Sequence, residues 1–242
     1  MTESDGKLDR STRVLAGGVC LLLGSVALPI GLLLQLGNDF IYDSRMNIVG
    51  VIMRNELGAQ FSTIVTALAG YLLLAAALGL SGAIRGRGAR LSQAGVILLG
   101  LGSMLVAMVF TTTGPLQLLE AAKPPAGVTA MTVVTVARHG TDAWSFIAVG
   151  VVLPCFLLAP FFLGSGLFRA RLIPIWPVLL WILALVGTLL PPSIPMHNIL
   201  SGGIFAIGIL GSLGWMGLTV ARRARVAQPP AVESVALHAT TG

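Results

Sequence analysis

The chain has 242 residues, of which 55% are apolar and only 10% are charged, and it carries a formal charge of +6. A soluble domain usually has about 25% charged residues, so this composition excludes an ordinary soluble protein and indicates an integral membrane protein. The positive charges stand in short clusters beside apolar runs, without interleaved aromatic residues, which argues against nucleic-acid binding.

Six apolar runs follow one another along the chain, and each is long enough to cross a hydrocarbon core of about 30 Å as a helix of roughly 20 residues. We therefore predict an all-α fold, a six-span transmembrane helix bundle, with spans at about 14–37, 59–84, 91–114, 143–168, 172–191 and 198–221. The first run is too long for a signal peptide, so we expect it to be retained. Around the bundle we expect a polar N-terminal segment at 1–13 and a disordered tail at 222–242.

Two connections between the predicted spans are long, at 38–58 and 115–142. The middle of 38–58 is apolar, which favours a cap lying on the membrane surface over a ligand lid. Apolar residues alternate from 128 to 136, and this pattern fits either a short strand or the start of the fourth helix.

The basic residues predict the orientation of the chain, because Lys and Arg near span ends are retained in the cytoplasm. With both termini cytoplasmic, eleven basic residues lie inside and four outside (Arg45, Arg54, Lys123 and Arg138). The inner set comprises Lys7, Arg10, Arg13, Arg85, Arg87, Arg90, Arg169, Arg171, Arg222, Arg223 and Arg225. The excess of Arg over Lys, with abundant Ala and Gly, suggests a GC-rich bacterial genome, so we expect a multi-pass protein of a bacterial inner membrane.

Small residues are concentrated in the predicted sixth span and allow close approach of neighbouring helices. Helical periodicity places Ser201, Gly208, Gly211 and Ser212 on one face and Gly203, Ala206 and Gly217 on the other. We therefore expect this helix to be central and touched on both sides, mainly by helices of the same chain. Besides membrane lipids, a protein partner remains open, bound either by the outer loops or by Gly208, Gly211 and Ser212.

No ionisable residue lies in the middle of any predicted span, which argues against proton relays, ion pathways and charge-gated channels. The spans also contain no His for a haem and no Lys for retinal, and we recognise no catalytic motif, so we expect no enzyme activity, no catalytic residue and no cofactor. Span hydroxyls, among them Thr66 and Ser103, are expected to bond to carbonyls of their own helix.

A cluster on the outer face suits a divalent metal by residue type: His139, Asp142, His197 and Glu120. Surface His residues with a nearby carboxylate are more often solvated, and the sequence alone does not bring the segments together, so we predict no metal site. The tryptophans are expected to anchor at the membrane interface, at Trp144, Trp176, Trp181 and Trp215. Cys20 and Cys155 are expected to be buried thiols.

Residues 161–176 combine a Gly-containing span end, the basic turn Arg169-Ala170-Arg171 and the restart Ile173-Pro174-Ile175-Trp176. This run resembles a class of uncharacterised bacterial multi-span membrane proteins of unknown function. The resemblance covers the last third of the chain, implies the same six-helix architecture and brings no catalytic residues with it.

Three functions are consistent with these features. The sequence favours a non-enzymatic membrane protein, an accessory or interaction protein that binds a protein or lipid partner. The alternative is a small permease for an uncharged or apolar solute, suggested by Pro29, Pro154 and Pro160 within predicted spans. The third is a membrane enzyme with an outer-face metal site, which requires His139, Asp142 and His197 to meet.

Overall fold

The computed structural model describes residues 3–36, 56–81, 86–108, 151, 153–188 and 197–226 of the chain. All regular structure within these ranges is helical, which confirms the all-α prediction for this part of the chain. The helices are α1 (Glu3–Leu36), α2 (Glu56–Leu80), α3 (Ala89–Met108), α4 (Leu153–Arg169), α5 (Trp176–Thr188), α6 (His197–Ile209) and α7 (Trp215–Val226). A π-helical segment, Leu210–Gly214, joins α6 to α7, so that six helical segments are described.

Four of the six segments contain a stretch long and apolar enough to cross a membrane. These stretches are Ser11–Gly31, Gln60–Leu80, Ala89–Met108 and Gly203–Val226, with mean hydropathies between 1.8 and 2.1. The described apolar parts of the predicted fourth and fifth spans are shorter, Pro154–Arg169 and Trp176–Val186. Their predicted continuations at 143–150 and 189–191 lie outside the described residues, as does the alternating stretch at 128–136.

Two helix ends extend beyond the predicted spans. The helix α1 begins at Glu3, so the segment expected to precede the first span is helical over most of its length. The helix α7 continues to Val226, through the first residues of the expected disordered tail. Apolar composition limits the part of a helix that lies in lipid, but polar residues such as Lys7, Arg10 and Arg222 are good helix formers and continue the helix beyond it.

Glycines at seven-residue intervals set the packing of two antiparallel helix pairs. Gly17, Gly24 and Gly31 of α1 face α2, and a Cβ atom on Gly17 would lie 2.9 Å from the carbonyl carbon of Gly79. In the second pair α3 and its preceding turn face α4 through Gly88, Gly95 and Gly102. An interval of seven residues keeps these positions on one seam between two helices.

The helix α1 lies between α2 and the sixth segment in a ring of packed helices. It packs on α2 along one side and on α6, the π-helical segment and α7 along another. The sixth segment is itself touched on two sides, as expected, by α5 at Gly208 and by α1 at Gly214 and Gly217. A Cβ atom on Gly203, however, would meet no neighbour within 4 Å among the residues that the structure describes.

The interior contains one residue that the sequence analysis placed wrongly at the membrane interface. Trp181 of α5 is 0% exposed, and its indole Nε1 donates a hydrogen bond of 2.8 Å to the carbonyl of Leu157 in α4. Its ring also lies 5.6 Å, between centroids, from that of Phe205. Burial is tolerated because the indole N–H has a partner, so Trp181 ties α5 to α4 and α6 instead of anchoring the chain in the interface.

The other aromatic and thiol residues follow the expectations more closely where they are described. Trp176 and Trp215 pack edge to face with ring centroids 4.8 Å apart, and both are partly exposed. Cys20 and Cys155 are free thiols, the first partly buried and the second buried. Trp144 lies outside the described residues.

Candidate functional site: two adjoining cavities at the basic end

Two groups of contacts bring the basic clusters to one end of the described helices. A Cβ atom on Gly88 would overlap the carbonyl oxygen of Gly166 and lie 3.1 Å from Cβ of Arg169, so the two basic turns touch. The Ser11 hydroxyl of α1 donates a hydrogen bond of 3.2 Å to the carbonyl of Ala224, which brings the start of α1 to the end of α7. We call this end of the molecule the basic end; it contains Arg13, Arg87, Arg90, Arg169, Arg171, Arg222, Arg223 and Arg225.

The turn after α4 is closed by a Schellman motif, a pair of hydrogen bonds that caps the C-terminus of a helix. The N–H of Leu172 donates to the carbonyl of Leu167 at 2.9 Å, and the N–H of Arg171 donates to the carbonyl of Phe168 at 2.8 Å. The motif places its next-to-last residue in the left-handed conformation, and Arg171 accordingly has a φ of 56°.

Glycine is the usual residue at this position because a Cβ atom in the left-handed region costs about 1 kcal/mol or more. An arginine therefore stands where the backbone favours glycine. The turn itself does not need a guanidinium group. The strain at Arg171 therefore indicates that the side chain has a further role.

An apolar cavity of about 230 Å³ lies beneath this turn, between α1, α2, α4 and α7. Leucine and valine side chains form most of its wall, and the motif residues Leu167 and Leu172 are among them. Thr219 contributes a hydroxyl, which donates a hydrogen bond of 2.8 Å to the carbonyl of Trp215. The complete lining is Val14, Leu80, Leu163, Leu167, Leu172, Thr219, Val220, Arg223 and Ala224.

A second, more open cavity of about 520 Å³ adjoins the first, and Leu172 and Arg223 line both of them. We call it the basic cavity because three of its lining residues are arginines. The complete lining is Phe168, Arg169, Arg171, Leu172, Ile173, Pro174 and Arg223. All three guanidinium-bearing residues are exposed, as is Phe168 beside them.

The two described linings together contain three arginines and no acidic residue. Guanidinium groups bind phosphate and carboxylate through paired hydrogen bonds, and they remain charged at any physiological pH. Neither lining offers a nucleophile beside a base, or a group that exchanges protons near neutral pH. The lining residues of these two cavities are therefore suited to an anion attached to an apolar group.

The metal candidates from the sequence fall largely outside the structure. His139, Asp142 and Glu120 lie outside the described residues, and of His197 the structure gives only the backbone, as the first residue of α6. Among the residues that are described, His, Cys, Asp and Glu form no group of three or more that could hold a metal ion.

The partner candidates in the sixth segment are engaged within the chain. A Cβ atom on Gly208 would overlap that of Ala184 in α5, and one on Gly211 would lie 3.0 Å from Leu180 Cδ1. Ser212 is fully buried, and its hydroxyl makes no hydrogen bond within the part of the chain that the structure describes. A protein partner at this face would have to displace α5.

The buried hydroxyls of the long helices mostly donate hydrogen bonds to backbone carbonyls. Thr66 donates to the carbonyl of Ser62 at 2.8 Å and Ser103 to that of Leu99 at 2.5 Å, which confirms the expected bonds within their own helices. Ser62 differs, because its hydroxyl crosses to α1 and donates 2.9 Å to the carbonyl of Gly31.

No protein-family model matches the chain, and no curated protein or solved structure matches it either. The site is therefore interpreted from its own geometry. Sequence reasoning identified the arginines but missed the apolar cavity, whose walls come from four segments far apart in the chain. The only local sequence feature at the site was the pair Arg171-Leu172 after an apolar helix. A basic residue at this place is typical of a helix end and does not indicate a cavity.

Proposed function

We propose that the chain is a multi-pass bacterial inner-membrane protein without enzymatic activity, with both termini in the cytoplasm, which binds a partner at its basic end. The observation that carries this proposal is the apolar cavity adjoining a cavity with three arginines and no acidic residue. The orientation is supported by the gathering of the described arginine clusters at one end, since basic residues at span ends are retained in the cytoplasm.

The described helices give more support to an interaction protein than to a permease. Transporter sites are built from broken helices, whereas α1 is continuous through Pro29 and α4 is continuous through Pro160. Pro154 stands in the first turn of α4, where the missing N–H of proline costs little. The hydroxyls of Ser62, Thr66 and Ser103 donate hydrogen bonds to backbone carbonyls, so these hydroxyls have partners without a bound solute.

The binding role is tested by purifying the full chain from membranes in a mild detergent and identifying the lipids and proteins that remain bound. The wild-type chain is compared with a variant carrying Arg169→Gln, Arg171→Gln and Arg223→Gln. We expect a specific lipid or protein to be retained by the wild type and lost from the variant. Identical material bound to both chains would contradict a partner site at the basic end.

The orientation is tested with an introduced cysteine at the basic end, Arg225→Cys, since Arg225 is exposed. A maleimide that does not cross membranes should label this cysteine only after the cells are permeabilised. Labelling of intact cells at the same rate would place the basic end outside the cell.

A further inference from the structure

We propose that the partner at the basic end is an anionic phospholipid, bound with its phosphate among Arg169, Arg171 and Arg223 and with part of an acyl chain in the apolar cavity. This inference rests on the proposed function, because it names the class of partner for the same site. Its first support is the division of the site into two parts of opposite character, matching a molecule with a charged head and an apolar tail.

The position of the arginines fits the depth of a lipid headgroup. Arg169 and Arg171 follow directly on the apolar helix α4, and Arg223 stands in the last turns of α7. Phe168 and Ile175 are exposed next to them, so apolar side chains reach the same level as the guanidinium groups. Basic pockets between helices on the cytoplasmic side are the usual place where anionic headgroups bind.

The conformation of Arg171 supplies a separate argument. A glycine at this position would adopt the φ of 56° with less strain, and the Schellman motif would keep both of its hydrogen bonds. The residue with this strained backbone is one of those that line the basic cavity. A side chain that binds phosphate accounts for an arginine where the turn favours glycine.

The apolar cavity favours a lipid over other anions. The basic cavity, at about 520 Å³, falls within the size range of small-molecule sites, about 300–1,000 Å³, and a free phosphate would need nothing else. An acidic peptide would likewise leave the adjoining leucine-lined space empty. A phospholipid uses both, since Arg223 and Leu172 line the two cavities in common.

The test uses the full chain in a mild detergent, titrated with a phosphatidylglycerol or with a phosphatidylcholine of the same acyl chains. Bound lipid is counted by native mass spectrometry. We expect the wild type to retain the anionic lipid in clear preference to the zwitterionic one. Substituting Arg169, Arg171 and Arg223 with Gln should weaken retention by about fivefold per arginine, the effect of about 1 kcal/mol for one basic residue near an anionic surface.

A matched control removes the same charge from elsewhere at the basic end. Arg87→Gln, Arg90→Gln and Arg225→Gln change three exposed arginines that line neither cavity. This variant should keep the preference for phosphatidylglycerol. An equal loss in both triple variants would show that general charge, and not this site, holds the lipid, and would overturn the proposal.

The acyl-chain part of the proposal is tested by filling the apolar cavity with Val220→Phe, which should lower retention of phosphatidylglycerol. Leu101→Phe, on an exposed position of α3, is the control and should leave it unchanged. If Val220→Phe does not fold, Thr219→Phe is used, because Thr219 is only partly buried. Unchanged retention in a folded cavity-filling variant, or full displacement of the lipid by inorganic phosphate, would overturn the inference.

Failure of the inference and failure of the proposed function are distinguishable. A protein that copurifies with the wild type and not with the Arg169, Arg171 and Arg223 variant, with no lipid preference, would overturn the lipid inference and leave the function intact. The absence of any retained molecule sensitive to these arginines would contradict both.

Discussion

A Cβ atom placed on Gly217 of α7 would lie 2.7 Å from the backbone oxygen of Gly18 in α1, so the two helices cross with no side chain between their backbones. Arg223 follows Gly217 by six residues on the same helix, which corresponds to a rise of about 9 Å. Val14 of α1 and Arg223 of α7 both line the apolar cavity. The crossing of α1 and α7 therefore sets the distance between these two residues.

We expect Gly217→Val to destabilise the protein by about 2–3 kcal/mol. The new side chain would press on the backbone of α1, and backbone atoms cannot move aside as the end of a flexible side chain can. The free energy of unfolding is measured in mixed micelles by titration with a denaturing detergent, followed by far-ultraviolet circular dichroism.

Gly203→Val is the matched control for this prediction, since it introduces the same side chain into the same helical segment. In the described part of the chain a Cβ atom on Gly203 meets nothing within 4 Å, so the change should be neutral or slightly stabilising through better helix propensity. Equal losses at Gly203 and Gly217 would mean that the cost comes from valine in a helix and not from the crossing.

Arg171→Gly is expected to stabilise the protein by about 1 kcal/mol relative to Arg171→Ala. Both changes remove the guanidinium, but only glycine relieves the left-handed conformation at φ 56°. The comparison of the two variants thus separates backbone strain from charge, with unfolding measured as above. Equal stabilities would show that the turn is not strained by its Cβ atom, and would remove that argument for a binding role of Arg171.

Trp181→Phe is expected to lower the free energy of unfolding by about 2 kcal/mol. The substitution removes the indole hydrogen bond to the carbonyl of Leu157 and creates a void between α4, α5 and α6. Trp215→Phe, at a residue that is 38% exposed, should cost clearly less. If the two substitutions had the same effect, Trp181 would not hold α5 to its neighbours.

The sequence predicted the helices because the length of an apolar run is a strong and local signal. It predicted close packing because small residues allow helix backbones to approach each other. It did not predict which helix the glycines of α1 pack against. Gly17, Gly24 and Gly31 recur at seven-residue intervals, but only the partner helix shows whether such a seam is used. The glycines of the sixth segment do meet different neighbours, at Gly208 and Gly217, as the sequence predicted.

The candidate site was harder to predict for two physical reasons. A cavity is the space left between segments, and residues as distant as Val14, Leu80, Leu163 and Val220 share it only after the helices have packed. The strain at Arg171 is a property of the backbone, and arginine gives no indication of a positive φ as glycine or asparagine would. Charge clusters are visible in a sequence, but the apolar cavity that adjoins them is not.

Ser62→Ala is expected to destabilise the protein by about 0.6 kcal/mol, the average for a hydrogen bond between helices in a membrane. The Ser62 hydroxyl donates from α2 to the carbonyl of Gly31 in α1, at 2.9 Å. Ser81→Ala is the control, because the exposed hydroxyl of Ser81 donates 2.7 Å to Leu78, three residues earlier in the chain. Unfolding in mixed micelles should distinguish the two, since only Ser62 joins two helices. A cost at Ser81 as large as that at Ser62 would show that loss of a hydroxyl, and not loss of the link between α1 and α2, explains the effect.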